Sequence, residues 1–162
     1  MKIAEFEDII SWQKSQYLAK LIYELFRNNK DYGFKDQIQR ASVSVMSNIA
    51  EGFESGTRQE FLNYLYIAKG SAGEVRAQLY VALDAGYLNT ETFKHLNNLA
   101  VECSKLTSNF TTGLKNSEFK GLQHKKEHRK GMSETNKMIL ENDPKLKEFY
   151  NPEKDEIEFW RR

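Results

Sequence analysis

The first 143 residues contain no proline; the two that occur are Pro144 and Pro152. Proline inside a helix removes a hydrogen bond and clashes with the preceding turn. A long proline-free stretch rich in Leu, Ala, Lys, Glu and Gln therefore favours helices, and apolar periodicity divides it into four. Helix 1 is expected from about Phe6 to about Arg27, with Phe6, Ile10, Tyr17, Leu21 and Leu25 as its apolar stripe. The run Asn28-Asn29-Lys30-Asp31-Tyr32-Gly33 is a turn signal, and helix 2 follows from about Phe34 to about Phe53. After Glu54-Ser55-Gly56, Thr57 and Glu60 have the spacing of a capping box, which starts helix 3. Its stripe is Phe61, Leu65, Ala68, Ala72, Val75, Leu79 and Ala82, and Gly86 stands where a left-handed C-cap belongs. Thr90 is expected to cap helix 4, whose stripe is Phe93, Leu96, Ala100, Cys103, Leu106 and Phe110, with Gly113 at its end. Loops this short make successive helices antiparallel neighbours, so the expected fold is all-α, an up-down-up-down four-helix bundle.

The chain after Leu114 has a different character. Large aliphatic residues are dense before that point and sparse after it. The expected division is a bundle over residues 1–114 and a polar extension over 115–162. The extension is basic, then acidic: +4 from Lys115 to Gly131, then 6 Lys/Arg against 8 Asp/Glu from Met132 onward. Ser133 is placed to cap a short helix from Glu134 to about Glu141 with Met138, Ile139 and Leu140 on its apolar face. The near-zero total of +1 is thus a cancellation between segments. It excludes a uniformly basic nucleic-acid coat but not a local patch. A single cysteine, Cys103, allows no intramolecular disulfide and no zinc ribbon. The acidic start, Glu5-Phe6-Glu7-Asp8, lacks the apolar run of a signal peptide, and no charge-free run nears the ~20 residues of a membrane span. The expectation is a reduced, cytoplasmic protein.

Helix 2 carries a second stripe that is polar: Gln37, Arg40, Ser44, Asn48 and Glu51. Buried polar groups must be paired, so this face suits a structural network or a subunit interface, with a small-ligand or RNA phosphate contact through Arg40 as the functional alternative. In a hairpin turning near residues 54–56, Arg40 falls opposite Ser71 to Glu74, and an Arg40–Glu74 ion pair is expected. Gly70 and Gly73 lie inside helix 3, where each costs about 1 kcal/mol relative to alanine. They imply that another backbone or a bulky side chain comes close. They are not a phosphate loop, because no strand precedes them and the spacing is wrong.

His124-Lys125-Lys126-Glu127-His128 matches H-x-x-E-H, a zinc-protease pattern. Its flanks are polar and no third ligand follows, so an accidental match is the reading taken. The electrostatic reading of the same region is stronger. Lys115, Lys120, Lys125, Lys126, Arg129 and Lys130 are candidate nucleic-acid contacts, set against a solvated linker as the plain alternative. Cys103 reads as a buried, inert thiol and His95 as a surface residue. Tyr64, Tyr66 and Tyr80 suit helix packing, or stacking on bases. Ile157, Phe159 and Trp160 form a hydrophobic C-terminal group suited to anchoring a partner. No Ser–His–Asp set or carboxylate pair stands out, so neither catalysis nor a cofactor or metal site is expected.

The string from Gln37 to Gly52, with Arg40-Ala41, Ser44 and Asn48-Ile49-Ala50-Glu51-Gly52, resembles a specific family. So do Glu60-Phe61-Leu62, Ile67-Ala68-Lys69-Gly70-Ser71, Gln78, Gly86-Tyr87-Leu88, Phe6-Glu7-Asp8-Ile9 and Trp12-Gln13-Lys14. Over about residues 3–114 the chain resembles the bacterial four-helix-bundle proteins encoded in intervening sequences of 23S ribosomal RNA genes. The resemblance implies an antiparallel bundle assembling as a ring-like homopentamer, with no enzymatic activity. A related branch, the accessory variability proteins of diversity-generating retroelements, implies reverse transcriptase and nucleic acid as partners. This chain departs from the family in its long extension and from that branch in its neutral charge balance. Two functions are expected from these readings. The first is a non-catalytic oligomeric adaptor for RNA or a ribonucleoprotein partner. The second is a protein-interaction scaffold with no nucleic-acid role, anchored through its C-terminal extension.

Overall fold

The computed structural model describes residues 3–118, 134–151 and 156–157. The chain separates into two compact units, Met1–His124 and Lys125–Arg162, each described by itself. The first unit is built from a 3-10 turn, Phe6–Asp8, and four helices: α1 (Ile10–Phe26), α2 (Tyr32–Glu54), α3 (Arg58–Asp84) and α4 (Thr90–Lys115). Helix α1 packs on α2 and α4, and α3 packs on the same two, which closes a bundle around one core. Leu18, Ile22, Ile38, Val75, Leu79 and Ala100 are fully enclosed at one end, and Ile49, Leu65 and Ala68 at the other. Burying a Leu or Ile side chain is worth about 1.5–3 kcal/mol, so these residues dominate the stability of the unit.

The caps explain where the helices begin. Thr57 Oγ1 accepts from the Glu60 backbone N–H at 3.2 Å, so the expected N-cap is made, while the Glu60 carboxylate accepts from the Thr57 hydroxyl at 2.6 Å in place of the reciprocal backbone bond of a capping box. Gly86 has a positive φ of 73°, which L side chains rarely adopt, and the Tyr87 N–H returns to the Ala82 carbonyl. Two other caps fall one or more residues from their expected places. Asn89, not Thr90, caps α4 by accepting from the Thr92 N–H at 2.8 Å. Helix α2 begins at Tyr32, two residues before Phe34, because Asp31 caps it through the Phe34 N–H at 3.0 Å. Helix α4 runs past Gly113 to Lys115, since glycine weakens a helix without ending it.

Helix α1 differs most from expectation. Residues Phe6–Asp8 form a separate 3-10 turn, held by the Asp8 carboxylate accepting from the Ala4 and Glu5 N–H groups. Ile9 is extended, so α1 starts afresh at Ile10. The buried face is Ser11, Ser15, Leu18, Ala19, Ile22 and Phe26. The expected stripe lies one residue away: Ile10 is 56% exposed, Tyr17 47% and Leu25 42%. The rotation is possible because Ser15 donates to the Ser11 carbonyl at 2.7 Å, so a small polar side chain enters the core with its hydrogen bond made.

In the second unit, helix α5 (Glu134–Asn142) is followed by a 3-10 segment, Pro144–Phe149. Leu140 and Leu146 are buried, with Ile139 and Tyr150 packed against them, while Met138 stays exposed. Strands β1 (Tyr150–Asn151) and β2 (Glu156–Ile157) form a two-residue antiparallel ladder, Tyr150 opposite Ile157.

Candidate interaction surfaces

The polar stripe of α2 meets α3 along a seam. The Ser44 and Ser71 hydroxyls are 2.8 Å apart, and Asn48 Nδ2 donates both to the Ser44 carbonyl at 2.7 Å and to its hydroxyl at 3.0 Å. One end of the seam is closed by Gln78 Nε2 donating to Gln37 Oε1 at 2.9 Å. These links descend α3 as they climb α2. Ser71 is 7% exposed, so its hydroxyl is one of the groups that burial obliges to be paired; it also reaches the Ile67 carbonyl. Two members of the stripe, Arg40 and Glu51, stand outside this network, as does Glu74 of α3. Arg40 pairs with Asp36, one turn back on its own helix, at 3.5 Å, so the expected Arg40–Glu74 ion pair is corrected. The reason is proximity: Asp36 is the neighbour at i−4, and both side chains are largely solvated. Glu51 and Glu74 are exposed.

Gly70 and Gly73 also depart from expectation. A Cβ built on either meets nothing within 4 Å. The close approach occurs instead at Gly52 of α2, where a Cβ would lie 2.6 Å from Phe61 Cδ2 and 2.8 Å from Tyr64 Cβ. Sequence reasoning passed over Gly52; its place beside the buried Phe53 and across from Phe61 was the available signal. The outward side of α3 is apolar for a surface: Tyr66, Ile67, Tyr80 and Val81 are each about half exposed around the two open glycines.

Tyr66 carries the Lys115 ammonium 5.2 Å from its ring centroid, and Tyr80 packs on Phe93 with centroids 4.8 Å apart. Tyr64 is half-buried beside Gly52. Lys115 is the exposed last residue of α4. Lys120, Lys125, Lys126, Arg129 and Lys130 lie outside the described residues, as do His124, Glu127 and His128 of the H-x-x-E-H match and the anchor residues Phe159 and Trp160. Ile157 is described only through its backbone pairing. Among the described residues no three His, Cys, Asp or Glu gather to hold a metal ion. Cys103 is buried, and that burial pushes its thiol pKa up, partly offset by a hydrogen bond with Ser15. His95 is exposed. An apolar pocket of about 240 Å³ lies between the start of α1 and the end of α4, lined by Ile3, Ile9, Ile10, Leu106 and Phe110. Among the described residues no helix is long and apolar enough to cross a membrane.

Fold and surfaces together define a helical-bundle protein whose distinctive chemistry lies on helix faces. The sequence profile of the 23S rRNA-intervening sequence proteins matches residues 7–109. The chain belongs to that family. No curated protein matches it. A similar solved structure is the 1.70 Å crystal structure of a protein of unknown function from the S23 ribosomal protein family of Bacteroides thetaiotaomicron. That protein is 27% identical, the match covers 63% of this chain and 98% of that one, and the TM-score is 0.59.

Proposed function

We propose that the protein is a non-catalytic, cytoplasmic, oligomeric adaptor that binds RNA or a ribonucleoprotein partner, with a reverse transcriptase of a diversity-generating retroelement as one such partner. The observation that carries the oligomer is the open space over Gly70. Helix glycines cost stability, and among the described residues nothing uses the room that Gly70 leaves. A second copy packed on Ile67, Gly70, Glu74 and Val81 would use it. The bundle, residues 1–114 in up-down-up-down order, then forms a homopentameric ring, and residues 115–162 extend from it. The polar stripe Gln37, Arg40, Ser44, Asn48 and Glu51 borders the same face and completes the interface.

The nucleic-acid part of the reading rests on charge. Each copy carries +4 between Lys115 and Gly131, and a pentamer repeats that segment five times around one assembly. Light-scattering mass, with the 260/280 nm absorbance ratio before and after a high-salt wash, tests both parts. A pentamer mass with RNA removed by salt supports the proposal; a monomer at micromolar concentration overturns the ring. Neutralising Lys125, Lys126, Arg129 and Lys130 is expected to weaken RNA binding, and unchanged binding would remove the extension from the site.

The exposed apolar side of α3 favours one second reading, a scaffold for a protein partner with Ile157, Phe159 and Trp160 as anchor. Nucleic-acid-free protein that loses a co-purifying partner on truncation at Asn151 would favour it.

A further inference from the structure

The cations of the bundle are not spread evenly. Tyr66 touches Lys115, and Tyr80 touches Phe93, so the stripe of α3 between these tyrosines faces α4. That stripe carries Lys69, Gly73 and Arg76 at alternating steps of three and four residues. On α4, Lys94 and Lys105 are 11 residues apart, about three turns, so they stand in one row about 16 Å apart, while Lys115, about 80° round the helix from Lys105, meets Tyr66 of α3. The three lysines and Lys69 are exposed; Arg76 is half-buried, and its Nε is enclosed without a partner. None of the five has an ion-pair partner among the described residues.

Carboxylates border this face: Glu91 and Glu102 each stand one turn from a lysine of the row, Lys94 and Lys105. Glu74 shares the stripe of Ser71 and Gln78, which bond to α2. Glu102 pairs with Lys14 of α1 at 3.0 Å. Asp84 and Glu91 stand at the loop end, and Glu118 at the far end. Two half-exposed tyrosine rings flank the row, with open space over Gly73 between them. Cations without ion-pair partners on one face attract a phosphate backbone, and flanking aromatic rings offer stacking platforms to unpaired bases.

We infer that the α3–α4 face of the bundle is a binding track for single-stranded RNA, with Lys69, Arg76, Lys94, Lys105 and Lys115 on the phosphates and Tyr66 stacking on a base. The inference rests on the nucleic-acid reading above and moves its centre from the extension onto the folded bundle.

The test is fluorescence anisotropy of a labelled 20-nucleotide single-stranded RNA with the full chain, from 50 to 200 mM salt. Replacing three phosphate contacts in R76Q/K94Q/K105Q is expected to reduce the slope of log K against log salt by about 2, at ~0.7 per contact. K20Q/K35Q, on α1 and α2, removes two cations elsewhere and is expected to leave the slope unchanged. Tyr66→Leu removes one stacking platform and is expected to weaken binding about 5- to 150-fold. Thermal melts confirm that these surface variants stay folded. If R76Q/K94Q/K105Q retains the wild-type slope while K125Q/K126Q/R129Q/K130Q loses binding, the bundle track is overturned and the RNA reading stands. Equal effects of the two sets, R76Q/K94Q/K105Q and K20Q/K35Q, also overturn the track. If wild type binds no RNA at 50 mM salt, both fall together.

Discussion

Replacing Gly52 by alanine sets two known effects against each other. Alanine favours the helix over glycine by about 1 kcal/mol, and on propensity alone G52A would be stabilising. The added Cβ would stand 2.6 Å from Phe61 Cδ2 and 2.8 Å from Tyr64 Cβ, where carbons normally rest near 3.5–4.0 Å. Neither neighbour can yield cheaply. Phe61 is 2% exposed and wedged between Phe53 and Phe110, with centroids 6.0 and 5.5 Å away. Tyr64 Cβ moves only with the α3 backbone. Overpacking of this kind, backbone shifts included, costs about 1–3 kcal/mol. The net expectation is a loss of about 0–2 kcal/mol. Gly70→Ala is the control: nothing lies within 4 Å, so the propensity gain stands alone and the isolated subunit gains about 0.5–1 kcal/mol. Urea denaturation of both variants, followed by the fluorescence of the two tryptophans, gives both signs, read where protein concentration no longer affects the midpoint. A G52A protein as stable as Gly70→Ala would refute the packing argument at α2–α3. If Gly70→Ala stabilises the subunit but weakens assembly, the same variant also locates the interface.

The seam between Ser44 and Ser71 is expected to show coupling of about 0.5–1.5 kcal/mol in a double-mutant cycle of Ser44→Ala and Ser71→Ala, with additivity as the refuting result. Asp31 accepts from the Phe34 N–H first and from the Tyr87 hydroxyl second, and both hold its carboxyl below 3.8, while the same contact raises Tyr87 above 10.0. A lowered carboxylate contributes stability above its unfolded pKa and loses it as pH falls through the folded value. Wild type should therefore lose more stability than Asp31→Asn between pH 5 and pH 2. A raised tyrosine contributes stability below its unfolded pKa and loses it as pH rises through the folded value, so Tyr87→Phe should flatten the alkaline limb above pH 10; melting curves against pH check both. Cys103 is expected to resist a thiol reagent in the native protein and to react fully in denaturant, and rapid native labelling would contradict its burial.

The periodicity of helix 3 reads directly because Phe61, Leu65, Ala68, Ala72, Val75, Leu79 and Ala82 are all buried. Its two ends were legible from a threonine cap and a left-handed glycine, since both are local chemistry. Helix 1 misleads because its core face contains two serines while large apolar residues, Ile10, Tyr17 and Leu25, sit outside. Hydrophobicity alone ranks those residues inward; only the partners available to Ser15 decide otherwise. Arg40 likewise had two carboxylates within reach of a sequence argument, and helix geometry chose the nearer. The five-cation face was invisible along the chain because its members come from two helices, and the sequence count of the bundle averages them with its carboxylates.

The polar seam has a consequence for how α2 and α3 align along their length. Their buried faces include Ala41, Ala68, Ala72 and Ala82, small side chains that resist sliding less than the larger Ile38, Ile49, Leu65 and Leu79 beside them. Gln37 with Gln78 and Ser44 with Ser71 act as two marks on a vernier. A slip of one turn, about 5.4 Å, separates both pairs together and brings Gly52 away from the ring it was shaped to receive. A misaligned hairpin therefore fails at three points at once, and the native offset is the one that satisfies them all.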